Sequence, residues 1–355
     1  MIKRKQTRQI HIGNIAIGGG APISVQSMTN TKTTDTQATV AQINALQAAG
    51  CDIVRVAVPD MAAAENLGNI IQKISVPLVA DIHFDYRLAL EAVKQGISAL
   101  RLNPGNIGGA DKVRAVVEAA KAKHIPIRIG VNAGSLDKAM LAKYGGITAE
   151  ALVESAMEHV KILEEQDFYD MKISLKAHDV PLTIEAYQLM SERTDYPLHL
   201  GITEAGTART GLIKSAVGIG ALLAQGIGDT FRISLTGDPV TEVKTANEIL
   251  KALGMREYGP TLISCPTCGR TCIDLAGIAD QVEERLHNIT KPISVAVMGC
   301  VVNGPGEARG ADVGIAGGNG TGLVFRKGEI LRQVPEEALV EELFKEIDMI
   351  LKEEQ

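Results

Sequence analysis

The stretch LISCPTCGRTC, residues 262–272, carries three of the chain's five cysteines. Cys265 and Cys268 form a Cys-x-x-Cys pair after a strand-like TLIS, a spacing that lets two sulfurs face one metal. A redox dithiol has the same spacing, but it opens a helix of a thioredoxin-like βαβ unit, and none precedes it here. A metal is therefore favoured. Cys272 shares a helical period with Leu275, Ala276, Ala279, Val282 and Leu286, and reads as a packed thiol on an apolar stripe. Cys51, just after a Gly50 helix stop, reads the same way. Cys300 lies in VAVMGCVVNGPGEARG, where an apolar strand runs into a Gly-Pro-Gly turn ending at Glu307. If Cys265, Cys268 and Cys300 bind metal, the fourth position is open to Cys272, an external group or Glu307. Three thiolates with one weaker oxygen ligand suit a 4Fe-4S cluster with an exchangeable iron; structural zinc normally has a closed nitrogen and sulfur shell.

A second set of reactive side chains sits between apolar residues in short runs. Arg55 is in DIVRVAV, Asp81 and His83 in VADIHF, Arg101 and Asn103 in LRLNP, and Arg128 and Asn132 in IRIGVN. Lys172, Ser174 and Lys176 are in MKISLK, His199, Thr203 and Glu204 in LHLGITE, and Arg232, Ser234 and Thr236 in FRISLT. Strand pleating turns Arg55, Arg101, Arg128 and Lys172 to one face. Burying that many cations together is costly unless an anion neutralises them. A guanidinium fork grips phosphate through two parallel charge-assisted bonds, so a ligand with more than one phosphate group is expected. The competing reading pairs each arginine with Asp81, Glu204 or another interior acid. Lys172 and Lys176 also admit Schiff-base chemistry, which would leave the cysteines without a role. Glu204, a strand-end carboxylate among cations, is the acid-base candidate.

These residues need a scaffold that brings eight strand ends together. Eight apolar runs, from PISVQS to TFRISL, alternate with amphipathic helical patterns over residues 23–254. One helix starts at Asp35, carries Val40, Ile43 and Leu46 and stops at Gly50; another has Asp238 as cap, Pro239 in its first turn and Gly254 as stop, the expected punctuation. The pattern fits a closed (β/α)8 TIM barrel, which needs ~250 residues and gathers its chemistry at the C-terminal ends of the strands. An open doubly wound sheet is the weaker alternative. RQIHIGNIAIGGG reads as a hairpin closing the barrel bottom. MREYGPT reads as a linker, giving a TIM-barrel substrate domain over 1–254 and a smaller α+β cluster domain over 260–355. GIAGGNGTG lies between two strand patterns and reads as a hairpin, so no nicotinamide or flavin is expected. A net charge of -6, 3% aromatics and no Trp argue against a nucleic-acid groove. No apolar run reaches bilayer length and no signal core follows the N-terminus. A cytoplasmic location is expected, where five cysteines point to metal or redox chemistry.

The motifs PISVQSMTNT, IVRVAVPD, VADIHF, LRLNPGNIG, IRIGVNAGS, GITEAGT, SLTGDP, SCPTCGRT and GCVVNGPGEA together resemble the bacterial 4-hydroxy-3-methylbut-2-enyl diphosphate synthase family of the methylerythritol phosphate route to isoprenoids. The resemblance runs from about residue 8 to about residue 330. It implies reductive ring opening and dehydration of 2-C-methyl-D-erythritol 2,4-cyclodiphosphate to (E)-4-hydroxy-3-methylbut-2-enyl diphosphate. Two electrons would arrive singly from reduced flavodoxin or ferredoxin through a 4Fe-4S cluster. Carried over residue by residue, it implies Cys265, Cys268, Cys300 and Glu307 as cluster ligands. Substrate-binding positions fall on Arg55, Arg101, Asn103, Arg128, Asn132, Lys172 and Glu204, with Asp81, His83, Lys176, Ser234, Arg270 and Asn303 as neighbours. Glu204 and Glu307 are then the catalytic carboxylates. The resemblance also implies a head-to-tail homodimer in which the cluster domain of one chain covers the barrel of the other. Two rival classes remain: a zinc ribbon on Cys265, Cys268, Cys272 and Cys300, and a metal-independent barrel lyase or synthase acting on a phosphorylated substrate.

Overall fold

The computed structural model describes residues 2–287, 289–300, 306 and 308–353. It divides into two compact units, Met1–Arg256 and Glu257–Gln355. In the first, a hairpin of β1 (Ile10–Ile12) and β2 (Ile15–Ile17) precedes eight further strands. These are β3 (Ser24–Met28), β4 (Ile53–Ala57), β5 (Leu78–Asp81), β6 (Ala99–Arg101), β7 (Ile127–Asn132), β8 (Met171–Lys176), β9 (His199–Leu200) and β10 (Thr230–Phe231). They lie parallel in the order β8-β7-β6-β5-β4-β3-β10-β9, and a parallel bridge between Ile173 and Leu198 joins the two ends. That is the TIM barrel expected from eight doubly covered apolar runs.

The outer helices are α1 (Thr36–Ala48), α2 (Met61–Ile71), α3 (Tyr86–Lys94), α4 (Ala110–Ala122), α5 (Lys138–Tyr144), α6 (Ala149–Glu164), α7 (Val180–Arg193), α8 (Ala208–Ala224) and α9 (Pro239–Ala252). Their starts follow from local chemistry. Asp35 accepts the Ala38 N–H at the head of α1, and Asp238 accepts the Val240 N–H at the head of α9, each satisfying an otherwise orphaned helix donor. Val54, Val56, Leu100 and Ile129 point outward into the layer between strands and helices. Alternate positions therefore face the barrel axis.

At the N-terminal ends of the strands the axis is apolar. Ile10, Ile12 and Ile17 of the hairpin pack against Ile53, Val79 and Ala99, so the hairpin plugs the bottom as its alternation predicts. Asp229 fixes this end: Arg4 and Thr7 both donate to its Oδ1 at 3.0 Å, and the Leu198 N–H donates to its Oδ2 at 3.1 Å.

The second unit holds a mixed sheet in the order β11-β12-β13-β14-β15. Its strands are β11 (Thr261–Ser264), β12 (Ser294–Met298), β13 (Val313–Gly317), β14 (Thr321–Arg326) and β15 (Glu329–Pro335). The first three are parallel and the last two antiparallel. Helices α10 (Leu275–Leu286) and α11 (Leu339–Glu353) bury Val282, Leu286, Leu343 and Ile347 against Val295, Val297 and Ile315. The glycines of GIAGGNGTG form the β13–β14 hairpin, with Gly320 at φ +73°. Among the described residues no helix is long and apolar enough to cross a membrane.

Ile12 is fully buried in the plug and His11 is exposed on the other face. Ile12→Ala is expected to cost about 3 kcal/mol in urea unfolding, and His11→Ala less than about 0.5 kcal/mol.

Candidate active site in the barrel and the cysteine loop

Above the plug, the barrel axis is lined by charge. Strand register places Asp81 of β5 beside Arg101 of β6, Arg101 beside Arg128 of β7, and Arg128 beside Lys172 of β8. Lys176, two pleat repeats higher on β8, pairs in register with Asn132. Arg55, Arg101, Arg128, Lys172 and Lys176 are all buried, Lys172 to 1% and Arg128 to 3% exposure.

One carboxylate serves two of these five cations. Asp81 Oδ1 accepts from Arg101 Nη1 at 3.3 Å, and its Oδ2 lies 3.6 Å from Arg55 Nε. Burial alone would raise the Asp81 carboxyl, but Arg55 above all, then a hydrogen bond from His83, Arg101 and Arg128 hold it well below the usual carboxylate range. The expected pairing of arginines with interior acids thus holds for Arg55 and Arg101. It holds also for Arg232, beside the buried Glu242, but not for Arg128: among the described residues Glu204 makes no ion pair, and Arg128 Nε and Nη1 and Lys172 Nζ are buried without a hydrogen-bond partner. Burial pushes the Lys172 and Lys176 ammonium groups well below the usual lysine range, and repulsion from Arg128 and Arg55 adds to it. Arg55 is lowered to about 10, chiefly by burial. Lysine can escape by losing its proton, whereas arginine stays charged. A buried charge without a partner costs several kcal/mol, and an anion on the axis would remove that cost.

Glycines make the crowding possible. A Cβ on Gly130 would lie 2.9 Å from Arg101 Nε, and one on Gly201 would lie 2.6 Å from Lys176 Nζ. Asn103 clamps the same segment, donating from Nδ2 to the Gly130 carbonyl at 3.0 Å and accepting the Gly130 N–H at 2.8 Å. Asn132 heads the turn Ala133–Ser135, its carbonyl accepting from Ser135 Oγ at 2.9 Å. His83 lies within 3.5 Å of Asp81 and of Arg101, with 56% of its side chain exposed. Ser234 is half-buried beyond β10. Glu204 is exposed in the loop after β9 at φ +51°, a left-handed conformation uncommon for a side chain with a Cβ and often found where function over-determines the backbone.

Two contributors, Met28 and Glu242, escaped the sequence reading of the site. Met28 Sδ receives Arg55 Nε at 3.1 Å, Arg55 Nη2 at 2.9 Å and Arg232 Nη1 at 3.4 Å; a strand methionine reads as core. Glu242 Oε2 lies 3.5 Å from Arg232 Nε, and its Oε1 accepts the Leu235 N–H at 2.8 Å; in the first turn of α9 it reads as a dipole partner. Arg232 shares the polar-between-apolar placement of Arg55 and was legible by that signal. The fully buried His199, held neutral by burial, has Nε2 without a partner.

In the second unit, parallel pairing of Ser264 with Val297 brings the end of β11 level with the end of β12. Cys265 and Gly299-Cys300 follow directly, and the Gly299 N–H donates to Cys265 Sγ at 3.2 Å. Cys268 opens a turn closed by the Thr271 N–H on its carbonyl at 3.0 Å, and backbone hydrogen bonding at Arg270 lowers its exposed thiol. Amide donors aimed at sulfur favour thiolate, so this donor set fits thiophilic iron. Among the described residues no three His, Cys, Asp or Glu side chains already stand at metal-binding distances. Glu307 and Asn303 lie outside the described residues. Arg270 is exposed in the loop.

Cys272 is not the packed thiol its periodicity suggests. It is exposed, because Asp274 caps α10 by accepting the Gly277 N–H and the helix starts at Leu275, leaving Cys272 outside. Cys51 is buried as expected, donating to the Ile53 carbonyl at 3.1 Å, and burial pushes its thiol up to about 12.

Residues 7–247 match the family described as GcpE TIM-barrel domain, and residues 261–349 match the GcpE protein C-terminal domain. The chain is 64% identical over 349 residues to the 4-hydroxy-3-methylbut-2-en-1-yl diphosphate synthase (flavodoxin) of Clostridium perfringens, covering 98% of this chain and 100% of that one. It is 63% identical to the protein of the same name from Geobacter sulfurreducens, covering 99% of each. Among solved structures, the Yersinia pestis dihydropteroate synthase is similar at TM-score 0.50 and 11% identity, covering 69% of this chain and 97% of that one, a likeness of barrel fold alone.

Removing a surplus cation should relieve the charge repulsion on the barrel axis. Arg128→Met is expected to raise ligand-free stability by about 2 kcal/mol, whereas Asp81→Asn, which leaves Arg55 and Arg101 uncompensated, costs about 3–5 kcal/mol. Thermal melts in phosphate-free buffer check both signs.

Proposed function

We propose that this chain, which belongs to the GcpE family, carries out the reductive ring opening and dehydration of 2-C-methyl-D-erythritol 2,4-cyclodiphosphate to (E)-4-hydroxy-3-methylbut-2-enyl diphosphate, with reduced flavodoxin as electron donor. The names of its relatives support this reading. The observation in the fold that carries it is the surplus of buried cations: among the described residues no carboxylate pairs with Arg128, Lys172 or Lys176, and a diphosphate supplies the missing charge.

Arg128, Lys172 and Lys176 bind the two phosphates, and the bound anion restores the lysine protons that burial expels. Asp81 holds Arg55 and Arg101 at fixed positions, so their remaining N–H groups are oriented before substrate arrives. Asn103 keeps β7 in place beneath them. Glu204 supplies or accepts the proton as the hydroxyl departs, because hydroxide leaves poorly unless protonated. Cys265, Cys268, Cys300 and Glu307 would hold a 4Fe-4S cluster. When bound, that cluster supplies electrons one at a time and a Lewis-acidic iron. The working assembly on this reading is a homodimer. A metal-independent barrel synthase would leave the paired thiols of the second unit unused.

Protein purified without oxygen is expected to contain about four iron and four sulfide per chain and to convert the cyclodiphosphate with reduced flavodoxin; zinc without sulfide would refute the reading. Glu307→Ala should keep iron and sulfide while turnover falls sharply. Unchanged turnover in that variant would remove Glu307 from the mechanism.

A further inference from the structure

We propose that His159, on the outer helix α6, is a positioning residue for the turn Pro104–Asn106 at the barrel mouth, and that through this turn it makes substrate affinity depend on pH. The Gly105 N–H donates to His159 Nδ1 at 3.2 Å. Turn and imidazole are built against each other: a Cβ on Gly105 would lie 2.8 Å from His159 Cε1, so only glycine lets the backbone approach this closely. The turn leaves directly from Asn103, whose amide grips both polar atoms of Gly130. The Gly130 carbonyl also receives Arg101 Nη2 at 3.1 Å. One imidazole outside the barrel therefore anchors the far end of the segment that sets Asn103, Gly130 and Arg101.

This contact borders a cavity of 310 Å³ lined by Asn103, Asn106, Ser135, Asp137 and Glu158 as well as His159. An acceptor at Nδ1 puts the single imidazole proton on Nε2. Protonation of Nδ1 would convert the acceptor into a second donor facing the Gly105 N–H, and the contact would be lost. The charged groups around the imidazole are few. Asp137 heads α5, where its side chain already accepts the Met140 N–H at 2.7 Å. Glu158 precedes His159 on α6. The turn itself carries no charge, and Arg128 of β7 and Lys172 and Lys176 of β8 are buried on the barrel axis. Burial lowers the His159 pKa from its ordinary value, with Asp137 pulling the other way. The contact is therefore intact at neutral pH and fails as pH falls below the ordinary histidine range.

The inference rests on the cyclodiphosphate reading for its kinetic arm and stands apart from it for its backbone arm. Holoenzyme kinetics for wild type, His159→Leu and His159→Asn between pH 5.5 and 8 provide the first, and hydrogen–deuterium exchange at Pro104–Asn106 the second. His159→Leu should raise KM about five-fold at neutral pH with little change in kcat, and the Gly105 amide should exchange faster. The Asn side-chain oxygen accepts the same N–H without titrating, so His159→Asn should restore both KM and protection. It should also lack the part of the rise in KM at low pH that wild type shows beyond the pH dependence common to all variants. A Leu variant with wild-type KM and protection overturns the inference, as does an Asn variant with the wild-type pH profile. Wild type that fails to turn over the cyclodiphosphate overturns the activity reading instead, and the exchange comparison then decides the His159 contact alone.

Discussion

Positive charge buried on the barrel axis with too little negative charge to balance it is the constraint around which this molecule is arranged. Asp81 balances part of it by standing between Arg55 and Arg101, and Glu242 takes Arg232. Among the described residues no carboxylate pairs with Arg128, Lys172 or Lys176. A fold selected for stability alone would replace them with apolar residues of similar volume, which is often neutral or stabilising. Their retention in an otherwise close-packed barrel makes sense if the missing charge arrives with the ligand. Binding then gains what folding lost, in the manner of strain stored at a functional site.

Much of the surrounding structure serves to hold those charges still. The hairpin plug of Ile10, Ile12 and Ile17 closes the bottom with an apolar layer and keeps water from the charged layer on that side. Gly130 and Gly201 leave room for Arg101 and Lys176 to cross the axis. Asn103 locks β6 to β7 through both polar atoms of Gly130. In the second unit the same economy recurs: two parallel strands end level, Gly299 turns its N–H toward Cys265, and Cys300 follows one residue later.

Strand residues were legible in the sequence because pleating is strictly periodic. Arg55, Arg101, Arg128 and Lys172 alternate with apolar neighbours and all face the axis, as the pattern requires. The eight apolar runs, the caps at Asp35 and Asp238 and the hairpin nature of GIAGGNGTG were readable for similar local reasons. Tertiary partners were not. Nothing local says that Met28 will receive two guanidinium groups, that Glu242 will face Arg232 of the preceding strand rather than its own helix end, or that His159 will meet Gly105 from another element. Cys272 shows the opposite failure: its apolar period is real from Leu275 onward, but the Asp274 cap ends the helix before the cysteine is reached.

The measurement that tests the central claim most directly is proton uptake on ligand binding. Binding of the cyclodiphosphate, whose phosphates are fully ionised near pH 8, would be followed calorimetrically in buffers of different ionisation enthalpy. If Lys172 and Lys176 are driven toward neutrality in the empty barrel by burial and by Arg128, binding takes up protons and the apparent enthalpy depends on the buffer. Tight binding with no buffer dependence would mean that both lysines are already charged without a ligand, and the account of the barrel as an interior awaiting an anion would be wrong.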